Sequence, residues 1–233
     1  MQGSTKLTAA GALVLLAAPA IAAAQVLTFE GISTFAGGVN SAPIGNYYNG
    51  GAGPNYGVQF SGNALALCLN TAERTCSNTS RGGRGDPNSQ GTAMYFQTGS
   101  TAYMNRAAGF TTGFSFFYSD VTGAGAFDVY SGLNGTGTLL ASLTLPATAT
   151  GPEPCYGANF CPFIAAGLNF AGVAQSVLFT GTDALVLDDI TIGSATAGAV
   201  TTPEPGTWAL LASGIAGIGI LARRRRVRGG SDA

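Results

Sequence analysis

The chain has 233 residues and few charges: ten Lys+Arg, eleven Asp+Glu and no histidine, for a net charge of −1. The missing histidine excludes Ser-His-Asp and Cys-His catalysis and most zinc sites, and it removes the commonest general base near neutral pH. Between residues 25 and 201 only four arginines (Arg74, Arg81, Arg84 and Arg106) stand against nine carboxylates, a local net charge of −5, so no electrostatic footprint for nucleic acid exists there.

At the start, Lys6 is the only charged side chain before Glu30, and an apolar stretch from Leu7 to Ala24 ends in Ala22-Ala23-Ala24. A charged start, an apolar centre and small residues before the cut predict a helical secretory signal peptide over residues 1–24. Its partners are the Sec machinery and signal peptidase. Cleavage after Ala24 leaves Gln25 as the mature N-terminus, and Ala22 is the alternative site.

From residue 25 to 194 short apolar runs are broken by Gly, Asn, Pro and Ser. The expected strands are 26–29, 56–60, 64–69, 93–97, 102–105, 109–118, 126–131, 139–145, 174–180 and 184–192. Several alternate with period two; Phe114, Phe116 and Tyr118 fall on one face. Gly132 to Gly137 reads as a hairpin turn. No segment of this region shows a capped 3.6-residue period. Strands at turn-punctuated spacing predict an all-β, antiparallel, jelly-roll-like β-sandwich ectodomain over 25–194.

Two long connections, 33–55 and 70–91, interrupt the strands, and connections of that length carry function or are mobile. The four cysteines form two local pairs, Cys68/Cys76 and Cys155/Cys161. In an exported chain an even count reads as disulfides; three connectivities exist, and proximity favours 68–76 with 155–161. Residues 195–201 are small and polar and read as a linker.

The tail, 202–228, holds three elements in a fixed order: Pro203-Glu204-Pro205, an apolar run from Trp208 to Ala222, and Arg223, Arg224, Arg225 and Arg226. Proline fixes φ and keeps the triplet extended. The run from Thr207 spans about 24 Å as a helix, at the short limit for a bilayer core of about 30 Å. It predicts one C-terminal transmembrane helix, with the arginines as a cytoplasmic stop-transfer block and Trp208 as an interfacial anchor. Residues 229–233 are a short end.

This ordered triplet, run and arginine block resembles the PEP-CTERM sorting signal of Gram-negative bacteria. The resemblance implies an exported precursor held transiently in the inner membrane, processed by an exosortase at Pro203-Glu204-Pro205, then delivered to the cell surface or extracellular matrix. It also implies an association with exopolysaccharide and biofilm. The segments from Asp128 to Leu140 and from Phe170 to Ile190 resemble recurrent stretches of PEP-CTERM ectodomains.

Two constellations are candidate sites. Phe29-Glu30-Gly31 with Leu187-Asp188-Asp189-Ile190 resembles the first and last strands of carbohydrate-binding jelly rolls, some of which hold a structural Ca²⁺. Glu30 with Asp188 or Asp189 are therefore candidate calcium ligands, oxygen donors suited to a hard cation; the alternative is an ordinary solvent-facing or hydrogen-bonded pair. Tyr47 and Tyr48, in a loop rich in Asn and Gly, are candidate sugar-binding platforms, the alternative being packing over a sheet edge. Paired carboxylates for a glycosidase, among Glu30, Asp120, Asp128 and Asp188, have no spacing that singles out an acid and a nucleophile. The expected function is therefore non-enzymatic: a structural or adhesive surface protein, with a carbohydrate-binding, lectin-like module as the alternative.

Overall fold

The computed structural model describes residues 24–32, 41–69, 91–96, 99–120, 123, 125–148, 163–182 and 185–199. Residues 1–23 of the expected signal peptide, the sorting tail and its apolar run all lie outside these residues, as do Cys76, Cys155 and Cys161. Among the described residues no helix is long and apolar enough to cross a membrane.

Two strands organise everything else. β6 (Thr101–Asp120) and β9 (Ile164–Thr180) pair antiparallel over nearly their whole length, from Thr101 opposite Thr180 to Tyr118 opposite Ile164. The register shifts twice, between Asn105 and Phe110 and again between Phe110 and Thr112. Extra residues in a ladder bend it and raise its twist. Gly109 at φ 74° and Thr112 at φ 80° absorb the bend.

The bend divides the pairing into two layers. The first half of β6 carries β3 (Val58–Phe60) on one side and the second half of β9 on the other, followed by β7 (Gly125–Tyr130) and β8 (Leu139–Leu145). The second half of β6 lies between the first half of β9 and β10 (Leu185–Ile192). The far edge of β10 is shared by β1 (Gln25–Leu27) and β5 (Thr92–Phe96), and β4 (Ala64–Cys68) and β2 (Ser41–Pro43) complete that layer. Every pairing is antiparallel.

The layers face each other through aromatic rings. Phe116 of one meets Phe127 of the other edge-on at 4.9 Å and Phe179 at 6.1 Å, and Phe114 reaches Phe127 at 5.6 Å. At the other end Phe29 meets Phe60 at 5.9 Å. All six phenylalanines belong to the main core. Edge-to-face pairs at these distances add about 0.5–1.5 kcal/mol each beyond area burial. The alternation expected of half-buried strands holds where one face meets solvent: Val58 and Phe60 are buried and Gln59 is exposed, and β7 alternates along its length. β5 and β10 are buried throughout, because Leu67, Ala93, Tyr95 and Val186 form a second, smaller apolar cluster on the reverse side of their layer.

The structure corrects the element boundaries in two places. The expected strands 102–105 and 109–118 are one strand, and the apparent break at Arg106-Ala107-Ala108 is the bulged bend. β9 starts ten residues before the expected 174, and β2 was not expected at all. The 195–201 linker begins as docked chain. The Gly193 amide donates to the Gly113 carbonyl at 3.0 Å, and the Ser115 hydroxyl donates to the Ser194 carbonyl at 2.9 Å. Gly167 is needed beneath it, since a Cβ there would lie 2.3 Å from the Ala195 carbonyl oxygen. Cys68 is disulfide-bonded, and the expected pairing partners fall outside the described residues.

Phe116→Ala should lower stability by about 3–5 kcal/mol, because it empties the interlayer ring cluster. A urea midpoint within error of the native chain would refute that role.

Candidate functional site

Glu30 is committed to the backbone. Its Oε1 accepts the amides of Gly91 and Thr92 at 2.7 and 2.9 Å, where β5 begins. Asp188 and Asp189 are both fully buried. Side chains of adjacent strand residues ordinarily face opposite sides, but here the β10 register shifts between Asp188 and Thr191, and Asp189 takes φ 47°. The Asp189 amide donates to Asp188 Oδ1 at 2.7 Å, and the Asp189 carbonyl accepts from Thr191 Oγ1 at 3.0 Å. Both aspartates have further interactions. Among the described residues no three Cys, Asp or Glu side chains gather at metal-binding distances. Glu30, Asp188 and Asp189 therefore form no three-carboxylate cluster.

Tyr48 is a core residue, 2% exposed, and cannot serve as a sugar platform. Its ring packs on Phe29, Tyr47 and Tyr56, and its hydroxyl oxygen accepts the Phe29 amide at 2.7 Å. Tyr47 is half-buried; its hydroxyl donates to the Glu30 carbonyl at 3.0 Å. What the two rings do is fold the connection around them. The Gly53 amide donates to the Tyr47 carbonyl, and those of Tyr56 and Val58 donate to the Tyr48 carbonyl. Burial pushes the Tyr48 hydroxyl far above its ordinary value of 10.0, and the hydrogen bond from Phe29 opposes this only in part.

This folded loop forms one wall of an open cleft of about 620 Å³ on the outer face of the first layer. Asn49 stands on that wall, Gln59 of β3 and Asn105 of β6 on the floor, and Leu133 and Asn134 on the opposite wall. The floor follows from register: Gln59 lies directly opposite Asn105, so both point away from the core that takes Val58 and Phe60.

The opposite wall is the β7–β8 turn, closed by a short 3₁₀ turn (Leu133–Gly135) that folds back over its own sheet. Asn134 takes φ 56°, a left-handed conformation that Asn tolerates better than most residues. Its amide N–H donates to Asn105 Oδ1 at 2.8 Å, and Asn105 Nδ2 donates to Asn134 Oδ1 at 2.7 Å. Ser176 adds a second clip: it accepts the Gly135 amide at 2.9 Å and donates to the Gly132 carbonyl at 2.6 Å. A side chain at Gly135, itself at φ 69°, would meet the Tyr103 ring at 2.9 Å. The cleft is lined by carboxamides, one serine hydroxyl and apolar groups, and among the described residues no ionisable side chain lines it.

Sequence reasoning marked the neighbourhood, the 33–55 connection and the Gly132–Gly137 turn, but not the amides that line this cleft; of the two tyrosines it named, Tyr48 is buried and Tyr47 half-buried. Gln59, Asn105 and Asn134 are isolated amides with no motif around them. The signal that could have found the floor is the single polar residue between Val58 and Phe60.

Comparison with known proteins decides the handling of the chain. Residues 201–226 match the family model described as the PEP-CTERM protein-sorting motif. The tail is a PEP-CTERM sorting signal. That signal makes this an exported protein with a membrane-anchored precursor and implies processing by an exosortase. No curated protein matches the chain. Among solved structures, it is similar to the K2 cleaved adhesin domain of Lys-gingipain at 13% identity and TM-score 0.40, covering 72% of this chain and 98% of that one. The carbohydrate-binding module CBM6cm-2 of Cellvibrio mixtus lichenase 5A, solved with cellotriose, matches at 14% identity and TM-score 0.32, over 51% and 93%. The C-terminal CBM6 of LamC from Zobellia galactanivorans matches at 16% and 0.31, over 56% and 98%. Likenesses this distant leave the function to be argued from this chain's own residues.

The Tyr48 shift has a signed consequence. The folded chain holds a phenolic proton that the unfolded chain releases above about pH 10, so this contribution to stability is complete below that pH and falls as pH rises. Melting temperature should therefore decline from about pH 10 upward, more steeply in the native chain than in Tyr48→Phe. Burial raises Tyr118 as well, so that variant retains some slope. Parallel declines in the two proteins would refute the assignment.

Proposed function

We propose that this chain is a non-enzymatic structural or adhesive protein of the cell surface or extracellular matrix of a Gram-negative bacterium, its β-sandwich remaining outside after both ends are removed. The observation that carries this reading is the PEP-CTERM signal at residues 201–226, set directly after a compact unit that ends at Thr202. Its matrix partner is exopolysaccharide. The build of the described body supports the reading. The described lining of the open cleft is neutral, and the carboxylates that a hydrolase would draw on are engaged in the fold: part-buried Glu30 on backbone amides, buried Asp120 through Oδ1 on the Gly123 amide, and buried Asp188 on the Asp189 amide.

The sorting step has a direct test. Glu204→Ala should leave export intact, block maturation and hold the precursor in the inner membrane. Normal maturation of that variant would remove Pro203-Glu204-Pro205 from the mechanism. The matrix role is tested by fractionating native cells: the processed protein should co-purify with the exopolysaccharide and be released when that polymer is digested. Free protein in the medium, with the polymer intact, would count against adhesion.

We infer the mature N-terminus from the packing around Ala24. Ala24 is 4% exposed, and its Cα lies 3.5 Å from where a side chain on Gly193 would begin. A residue enclosed in this way belongs to the folded body, which favours the cut after Ala22. N-terminal sequencing of the exported protein should read Ala23 first; a start at Gln25 would overturn this.

A further inference from the structure

We propose that the carboxamide-lined cleft is a binding site for an uncharged glycan, with Asn49 and Gln59 as its hydrogen-bonding side chains and Leu133 as the apolar surface against which a sugar ring rests. This deepens the matrix reading above and rests on it.

The chemistry of the lining selects the ligand class. A carboxamide offers two donors and an acceptor on one rigid plane, and a sugar hydroxyl is itself both donor and acceptor. Asn49 and Gln59 are exposed, so their amides face solvent at the wall and floor. Asn105 and Asn134 are bonded to one another and so serve to hold the wall in place. Leu133 is 39% exposed, one of few large apolar side chains left open among the described residues, and Ala107 and Ala108 are exposed beside it. Apolar patches flanked by a few fixed polar groups are the usual make-up of a small-ligand site, and the volume of about 620 Å³ lies within its usual range.

The lining also says what is not selected. Among the described residues that line the cleft none is ionisable, so none of them compensates a carboxylate or sulfate for its lost hydration. The surrounding net charge of −5 between residues 25 and 201 repels acidic polymers besides. Binding should therefore favour neutral over acidic glycans and need no divalent cation.

Pre-organisation distinguishes this cleft from a chance depression. The turn bearing Leu133 is clipped by Asn105 and Ser176, and the loop bearing Asn49 is folded around Tyr48. Both walls are fixed before a ligand arrives, which limits the ordering cost of binding.

The test uses the full-length chain in a zwitterionic detergent without a sugar headgroup, titrated calorimetrically with cello-, laminari- and malto-hexasaccharides and with a galacturonate hexasaccharide. At least one neutral oligomer should bind, more tightly than the galacturonate and equally with EDTA. The double variant Asn49→Ala/Gln59→Ala should weaken binding about tenfold, the loss expected for two hydrogen bonds. Leu133→Ala should weaken it too, and Asp128→Asn, outside the cleft on β7, should not. Unchanged melting temperatures would show that the variants fold. Binding that survives in the double variant, binding of the galacturonate alone, or no binding of any neutral oligomer would each overturn the proposal. The matrix reading is judged separately by retention in cells: cleft variants that remain in the matrix would leave it standing without this site.

Discussion

The structure depends on the β6–β9 pairing. Among the described residues it is the only ladder that runs through both layers, and each layer is assembled on one half of it. The bend at residues 105–112 is what turns one hydrogen-bonded ribbon into two facing sheets. Once the halves face each other, Phe114 and Phe116 on one and Phe127 and Phe179 on the other have nowhere to go except into contact. The hydrophobic effect supplies the driving force, and the bulge supplies the geometry through which it acts. Two strands of 20 and 17 residues are long for a globular protein, where about five or six is typical. Their length makes sense because each serves as two strands.

The same arrangement positions the cleft. Its floor lies at the end of the first half of β6, beside the bulge, and its walls are the connections before β3 and after β7. Connections riding on a fixed sheet are where binding groups are commonly found. Here they are unusually tied down. Tyr48 is sunk into the core from the first, and Asn105 and Ser176 hold the second from below. Buried Tyr48 within its connection, and Asn105 and Ser176 on the strands beneath the turn, thus act as anchors that determine where the exposed amides stand.

Class and polarity were legible in the sequence; continuity and curvature were not. Alternation around Phe114–Tyr118 identified the interlayer face, because period two with aromatics leaves little choice. The join at Arg106-Ala107-Ala108 was read as a gap, since small residues with no alternation look alike in a turn and in a bulge. The first half of β9 was missed for the same reason: Ala165, Ala166 and Gly167 carry no pattern, and Gly167 is there to admit the chain at Ala195. At the site, exposed-looking Tyr-Tyr in an Asn/Gly loop suggested a platform. A ring's burial is decided by long-range packing, here on Phe29, and local composition says nothing about it. At Asp188-Asp189 the sequence could not show that Asp189 takes a left-handed φ of 47° where the β10 register shifts.

β1 and β10 lie side by side, with Gln25 opposite Ile192. The first strand and the last are antiparallel, so the two ends of the body leave from the same corner. Tension applied across those ends would peel the three-residue β1 away one hydrogen bond at a time, a weak mode of resistance. Tension between one end and the far connections would instead pull along the long β6–β9 ladder, where many bonds must break together. A body of this build is mechanically asymmetric: it yields readily between its own termini and holds firmly when gripped at one corner and loaded through its loops.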